Sequence, residues 1–166
     1  MPIHSVNISN GARSRQLCRR DNTSYPRVFD QIFRNHDYNI TRLDRGKEII
    51  RYYNKIITSG RKPLIVDAGA NIGAATVFFQ GCFPASHVVA IEPEAGNFAM
   101  LSRNTEGLDV ENIQGALTSA PGYVTISDPK VGHWGYQTAP VAADDAGNDA
   151  TACVTVRQIY EKYVNY

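Results

Sequence analysis

The sequence predicts an α/β fold with a doubly wound, mostly parallel sheet, and three observations predict it. Two short runs, "LIVDA" ending at Ala68 and "HVVAIEP" ending at Pro93, are apolar and rich in β-branched residues, as strands covered on both faces are. Between them "NIGAATVFFQG" reads as a helix with Gly81 as its stop, and the order strand, helix, strand makes a parallel βαβ unit. Gly69 and Gly73 fall in the turn from the first strand to the helix, where bare backbone permits close approach.

The remaining elements follow in order. Residues 1–24 read as a polar, solvated arm whose basic cluster, Arg13, Arg15, Arg19 and Arg20, has no aromatic interleaving. Residues 25–166 read as the N-terminal part of one domain. Its first segment, "YPRVFDQIFRNHDY", spaces Val28 with Ile32 and Phe29 with Phe33 as a short amphipathic helix or turn does. In "RGKEIIRYYNKIITSG", Ile49, Tyr53, Ile56 and Ile57 share one helical face, with Asp44 placed to cap it and Gly60 and Pro63 to stop it. "EAGNFAMLSRNTEG" gives a further helix, with Phe98 and Leu101 inward and Gly107 at its end, and "VENIQGAL" a third strand. These complete a βαβαβ core over 63–117. Beyond it the alternation ceases: "PGYVTIS" is a turn and short strand, "PVAADDAGNDATA" an acidic loop, and "CVTV" a strand entering the helix "RQIYEKYVNY".

Composition narrows the function classes. The 166 residues carry 17 basic and 16 acidic side chains, a balance that leaves no electrostatic footprint for nucleic acid. No run approaches the length of a membrane span and the N-terminus lacks the pattern of a secretory signal, so the cytoplasm is the expected location. Cys18, Cys82 and Cys153 are widely spaced, without a CxxC pair, and read as free thiols rather than zinc ligands. Asp144, Asp145 and Asp149 lack calcium-loop spacing and read as a solvated loop. No metal is expected.

The chemistry lies in the glycine turn. A helix start offers N–H donors and the positive end of a dipole, and Asn71 enters left-handed geometry readily enough to replace a glycine there. Glu92 closes the second strand roughly 20 residues beyond Gly73, the offset at which a carboxylate reaches the hydroxyls of a ribose in doubly wound nucleotide sites. A dinucleotide fingerprint requires G-x-G-x-x-G, whereas here Asn71 stands at the central position and Asp67 precedes the first glycine by two residues. That acid repels a pyrophosphate and attracts an ammonium group, which favours S-adenosylmethionine over NAD.

The blocks "VDAGANIGAAT", "VVAIEPEAGNFAMLSRN" and "IQGALTSAPGYVTIS" resemble successive blocks of the FkbM-type methyltransferase family, whose hallmark is a GAN-I-G turn followed by a strand ending in E-P. The resemblance covers roughly residues 25–163. It implies a Rossmann-like fold of the class I methyltransferase type, S-adenosylmethionine as cofactor, and methyl transfer to a hydroxyl oxygen of a small acceptor such as a sugar, lipid or polyketide. By that similarity Asp67, Gly69, Asn71 and Gly73 line the methionine end and Glu92 holds the ribose. Asn97 lies near the ribose, Gly115, Ala116 and Leu117 lie near the adenine, and Ala70 and Pro93 complete the cofactor-binding set.

The family continues into a fourth strand of the K-I-D-x-E-G-x-E type and three more, whereas this sequence stops at Tyr166. The expected sheet is therefore incomplete after its third strand, as in a truncated form. It leaves "LIVDA" an apolar edge that a homo-oligomer or a partner chain would cover. Two alternatives stand beside the methyltransferase: a cofactor-binding fragment or assembly module without turnover, and an NAD-dependent oxidoreductase, which the missing central glycine argues against. In "VGHWGYQTAP", with Trp134 and Tyr136, His133 is the candidate general base within an expected substrate-contact loop.

Overall fold

The computed structural model describes residues 3–10, 13–20, 25–34, 40, 45–128, 135–142, 144, 147 and 149–164. The chain opens with β1 (Ile3–Asn10) and β2 (Arg13–Arg20), paired antiparallel. The expected solvated arm is thus a hairpin. Leu17 is fully buried and the Cys18 amide donates to Asn104 Oδ1 at 2.6 Å, long-range contacts for which the local sequence carries no signal. Helix α1 (Tyr25–Phe29) runs on through a π-helical turn over Asp30–Arg34. It buries Tyr25, Phe29 and Ile32. Helix α2 (Gly46–Thr58) follows, with Arg45 rather than Asp44 at its N-cap position; Asp44 lies outside the described residues.

The core is a parallel sheet of β3 (Leu64–Ala68), β4 (His87–Glu92) and β5 (Val110–Gln114), in the order β3-β4-β5. Helix α3 (Ala74–Cys82) joins the first two strands and α4 (Ala95–Asn104) the second two. Gly81 stands inside α3 instead of stopping it, and the backbone leaves the helix at Phe83. All six residues of β4 are buried because helices cover both of its faces. On one face lie α3 and α4; Leu101 of α4, wholly buried between Ala70 and Ala90, contributes about 2–3 kcal/mol by its removal from water.

The expected third strand is two strands. Gly115 ends β5, and β6 (Ala116–Thr118) turns away into a second sheet with β7 (Tyr123–Ser127), β8 (Gln137–Val141) and β9 (Thr151–Thr155), ordered β6-β9-β7-β8. A Cβ at Gly115 would sit 2.9 Å from Val154 Cγ2 and 3.1 Å from the Ala152 carbonyl, so the crossing of the two sheets requires glycine there. Strand β8 lies partly in the stretch read as an acidic loop. Helix α5 (Val156–Tyr163) starts from a capping box between Thr155 and Gln158 and packs Ile159 and Tyr163 on Val89 and Ile91. Strand β3 pairs only with β4 among the described residues. It is therefore an edge, and Val66 is 41% exposed instead of covered.

Candidate functional site

The glycine turn joins β3 to α3 at the carboxyl end of the sheet. Gly69, Asn71 and Gly73 have φ of 77°, 53° and 83°, all in the left-handed region that Gly and Asn enter at least cost. The two glycines serve different ends. A Cβ at Gly73 would lie 2.8 Å from Leu101 Cδ1, whereas one at Gly69 would meet nothing within 4 Å. Gly73 lets α3 close on α4, and Gly69 leaves open space at the strand end.

Glu92 leaves the neighbouring strand and binds this turn. The Asn71 amide donates to its Oε2 at 2.8 Å, and the Glu94 amide to its Oε1 at 3.0 Å. The Asn97 side-chain amide adds a longer bond of 3.5 Å. Three of the roughly four acceptor positions of an ionised carboxylate are thus taken, two on Oε1 and one on Oε2, which leaves capacity on Oε2. Burial raises the Glu92 carboxyl above its ordinary value, and the Glu94 and Asn71 amides draw it back down. Glu94 caps α4 through Gly96 and Asn97. On β3, Asp67 points toward α3 and accepts from the Thr76 hydroxyl at 2.5 Å; burial raises it too, and that bond lowers it.

The amides of the turn face inward. Those of Gly69 and Ala70 donate to the Ile91 carbonyl, that of Asn71 to Glu92, that of Ile72 to Asn71 Oδ1, and that of Gly73 to the Ala70 carbonyl. The unpaired donors expected of the turn are therefore taken from 69 to 73. With Glu92 bound to the turn and Asp67 just before it, the segment presents carboxylate acceptors rather than free turn amides.

Of the remaining sequence-predicted positions, Asn97 is buried beside Glu92. Gly115 donates its amide to the Glu92 carbonyl at 3.2 Å, and buried Ala116 starts β6 next to it, while Leu117 is half-exposed. The Pro93 carbonyl accepts from Thr151 at 3.4 Å. His133 and Trp134 lie outside the described residues, as does Asp145. Among the described residues no cluster of His, Cys, Asp and Glu has the makings of a metal site, and no helix is long and apolar enough to cross a membrane.

Three residues escaped the sequence reading. The Tyr25 hydroxyl lies 3.1 Å from Asn97 Oδ1 and 3.3 Å from Asn71 Oδ1, tying α1 to the turn and to α4. Thr76 positions Asp67. Asn104 donates to the carbonyls of Ile72 and Cys18 at 2.7 and 2.9 Å. Thr76 is one of two buried polar residues, with Gln80, in the otherwise apolar α3.

The chain is similar to two known proteins. The chain is 29% identical over 104 residues to methyltransferase sdnD of Sordaria araneosa, an alignment covering 60% of this chain and 34% of that protein. It is 40% identical over 50 residues to methyltransferase 1 of Beauveria bassiana, covering 30% of this chain and 20% of the relative. The matches thus span about a third and a fifth of the relatives' lengths. No family model matches the chain, and no solved structure does. The FkbM resemblance accordingly rests on its residue blocks, within a broader similarity to fungal methyltransferases.

Proposed function

We infer that the chain carries the cofactor-binding half of an S-adenosylmethionine-dependent methyltransferase of FkbM type, acting on a hydroxyl oxygen of a small acceptor such as a sugar or lipid. The observation that carries this reading is the pairing of Glu92 with the Asn71 turn on adjacent strands, beside the open space over Gly69. Glu92 keeps one acceptor position, on Oε2, for a ribose hydroxyl. Asp67 and Glu94 give the surroundings a negative character that suits a sulfonium and an ammonium and opposes a pyrophosphate. Because the amides at 69–73 are already donated inward, a dinucleotide finds fewer backbone donors here than its phosphates need. When bound, S-adenosylmethionine supplies an electrophilic methyl group. The chain's contribution is to hold the nucleoside at the strand ends, with Gly115 and Ala116 on its far side, and to fix its orientation.

The edge position of β3 supports a second reading, a cofactor-binding module that needs a further segment or partner for turnover. Titration calorimetry with S-adenosylmethionine, S-adenosylhomocysteine and NAD tests the first. Binding of the first two in the micromolar range, lost in Glu92→Ala, is expected, and tighter binding of NAD sinks the assignment. Methyl transfer to hydroxyl acceptors by the chain alone excludes the module.

A further inference from the structure

Tyr25 is out of character with its surroundings. Its ring packs in the apolar cluster that holds Leu17, Phe29 and Ile72, where, among the described residues, no other buried side chain carries a hydroxyl. A phenylalanine would fill the same space, so packing accounts for the ring and leaves the oxygen to be explained. A buried hydroxyl costs free energy unless it is hydrogen-bonded. This one lies 3.1 Å from Asn97 Oδ1 and 3.3 Å from Asn71 Oδ1. Both are acceptors, so a single proton serves two carbonyl oxygens, and both distances exceed the usual hydroxyl bond of about 2.8 Å, as in a three-centre arrangement.

Both asparagines lead on to Glu92. The Asn71 amide donates to its Oε2 and the Asn97 side-chain amide to its Oε1. Four residues from α1, the glycine turn, β4 and α4 thus close a circuit of hydrogen bonds, with Tyr25 and Glu92 at opposite corners. On one arm, the hydroxyl proton at Asn97 Oδ1 keeps that amide turned with its nitrogen toward the carboxylate. On the other, the hydroxyl holds Asn71 Oδ1, which also accepts from the Ile72 amide at 2.7 Å. That steadies the left-handed backbone from which the Asn71 amide reaches Oε2. Tyr25 is only 1% exposed, so it acts through Glu92 and not on a ligand.

We propose that Tyr25 is a positioning residue of the nucleoside site: through Asn71 and Asn97 its hydroxyl fixes both oxygens of Glu92, so that the open acceptor position on Oε2 meets a ribose hydroxyl. The role rests on the cofactor reading above and extends the site to a helix outside the βαβαβ core. A carboxylate held on both oxygens before the ligand arrives loses less freedom on binding and offers its remaining lone pair in one direction.

Titration calorimetry of the whole chain with S-adenosylhomocysteine, and displacement titration with its analogue lacking both ribose hydroxyls, tests this as a cycle between the Tyr25 hydroxyl and the ribose. In Tyr25→Phe the affinity for S-adenosylhomocysteine should fall about five- to tenfold, the worth of one misaligned hydrogen bond. The affinity for the analogue should change by less than about twofold, with an unchanged circular dichroism spectrum. In the ligand-free chain, nuclear magnetic resonance should show the Asn71 backbone and Asn97 side-chain amide signals displaced in Tyr25→Phe, and the Thr76 amide signal in place. Equal losses for the two ligands, or unmoved Asn71 and Asn97 signals, overturn the positioning role and leave the cofactor reading standing. A parent chain that binds neither ligand overturns the cofactor reading, and this role with it.

Discussion

Both ends of the three-stranded sheet carry carboxylates, and their surroundings shift the two sets in opposite directions. At the carboxyl end, burial raises Asp67 and Glu92, and the hydrogen bonds they accept come from a hydroxyl, backbone amides and a side-chain amide. At the amino end, burial also works to raise Asp109 and Glu111. There it is outweighed by hydrogen bonds from Lys62 and His87 to the first, and from Lys162 and Tyr163 to the second. His87 Nδ1 lies 2.6 Å from Asp109, and burial with the Glu111 bond pushes Tyr163 up to about 12. The amino end satisfies its charges within the protein and fastens α5 to the sheet. Among the described residues, no ion pair reaches Asp67 or Glu92 at the carboxyl end.

The contrast can be broken at its steepest point by closing the glycine turn. Gly73→Ala forces a Cβ against Leu101 in left-handed backbone and should cost about 3 kcal/mol in denaturant unfolding. Gly69→Ala, with open space around it, should cost only about 1 kcal/mol while reducing S-adenosylmethionine affinity in calorimetry by more than Gly73's neighbour Ala74→Gly does. Equal stability losses for the two glycine variants would contradict the division of roles. Next in size, Glu92→Ala leaves two amides without their acceptor and should destabilise by about 1–3 kcal/mol. Tyr25→Phe removes the hydroxyl shared by Asn71 and Asn97 and should cost about 1 kcal/mol, read by thermal melting. The amino-end change Lys162→Ala, at an exposed pair, should stay below about 1 kcal/mol.

Stability as a function of pH sharpens the comparison most directly. The folded state holds the protons of Asp67 and Glu92 more tightly than the unfolded chain does. Their contribution is therefore present below pH ~4 and lost as pH rises through their raised values. Asp109 and Glu111 contribute above pH ~4 and lose that contribution as pH falls through their lowered values. Unfolding free energies measured across this range should show the first slope reduced to the share of Asp67 in Glu92→Gln and the second reduced to the share of Asp109 in Glu111→Gln. The same slope in both variants refutes the assignment.

The βαβαβ order was legible because it is written in local patterns: β-branched runs, a helical period, and glycines at the changeover. The turn was legible in more detail, since Asn71 between two glycines already specified left-handed backbone. What escaped were groups whose meaning is set by distant partners. Leu17 and Cys18 look polar-bounded and unremarkable in sequence, yet Asn104, 86 residues away, makes the hairpin part of the core. The inward amides of Gly69, Ala70 and Asn71 escaped for the same reason: their acceptors, Ile91 and Glu92, belong to another strand. The break at Gly115 was hidden by continuous β character on both sides of it, and only the crowding by Val154 and Ala152 reveals it.

Asn104 also sets an order of events. Its side chain joins the Cys18 and Ile72 carbonyls, so β2 can dock only once the end of α4 is in place. Closing so long a loop is entropically slow compared with forming α3 or α4. The hairpin therefore joins the binding region through a contact that closes over 86 residues, longer than any within the βαβαβ core over 63–117.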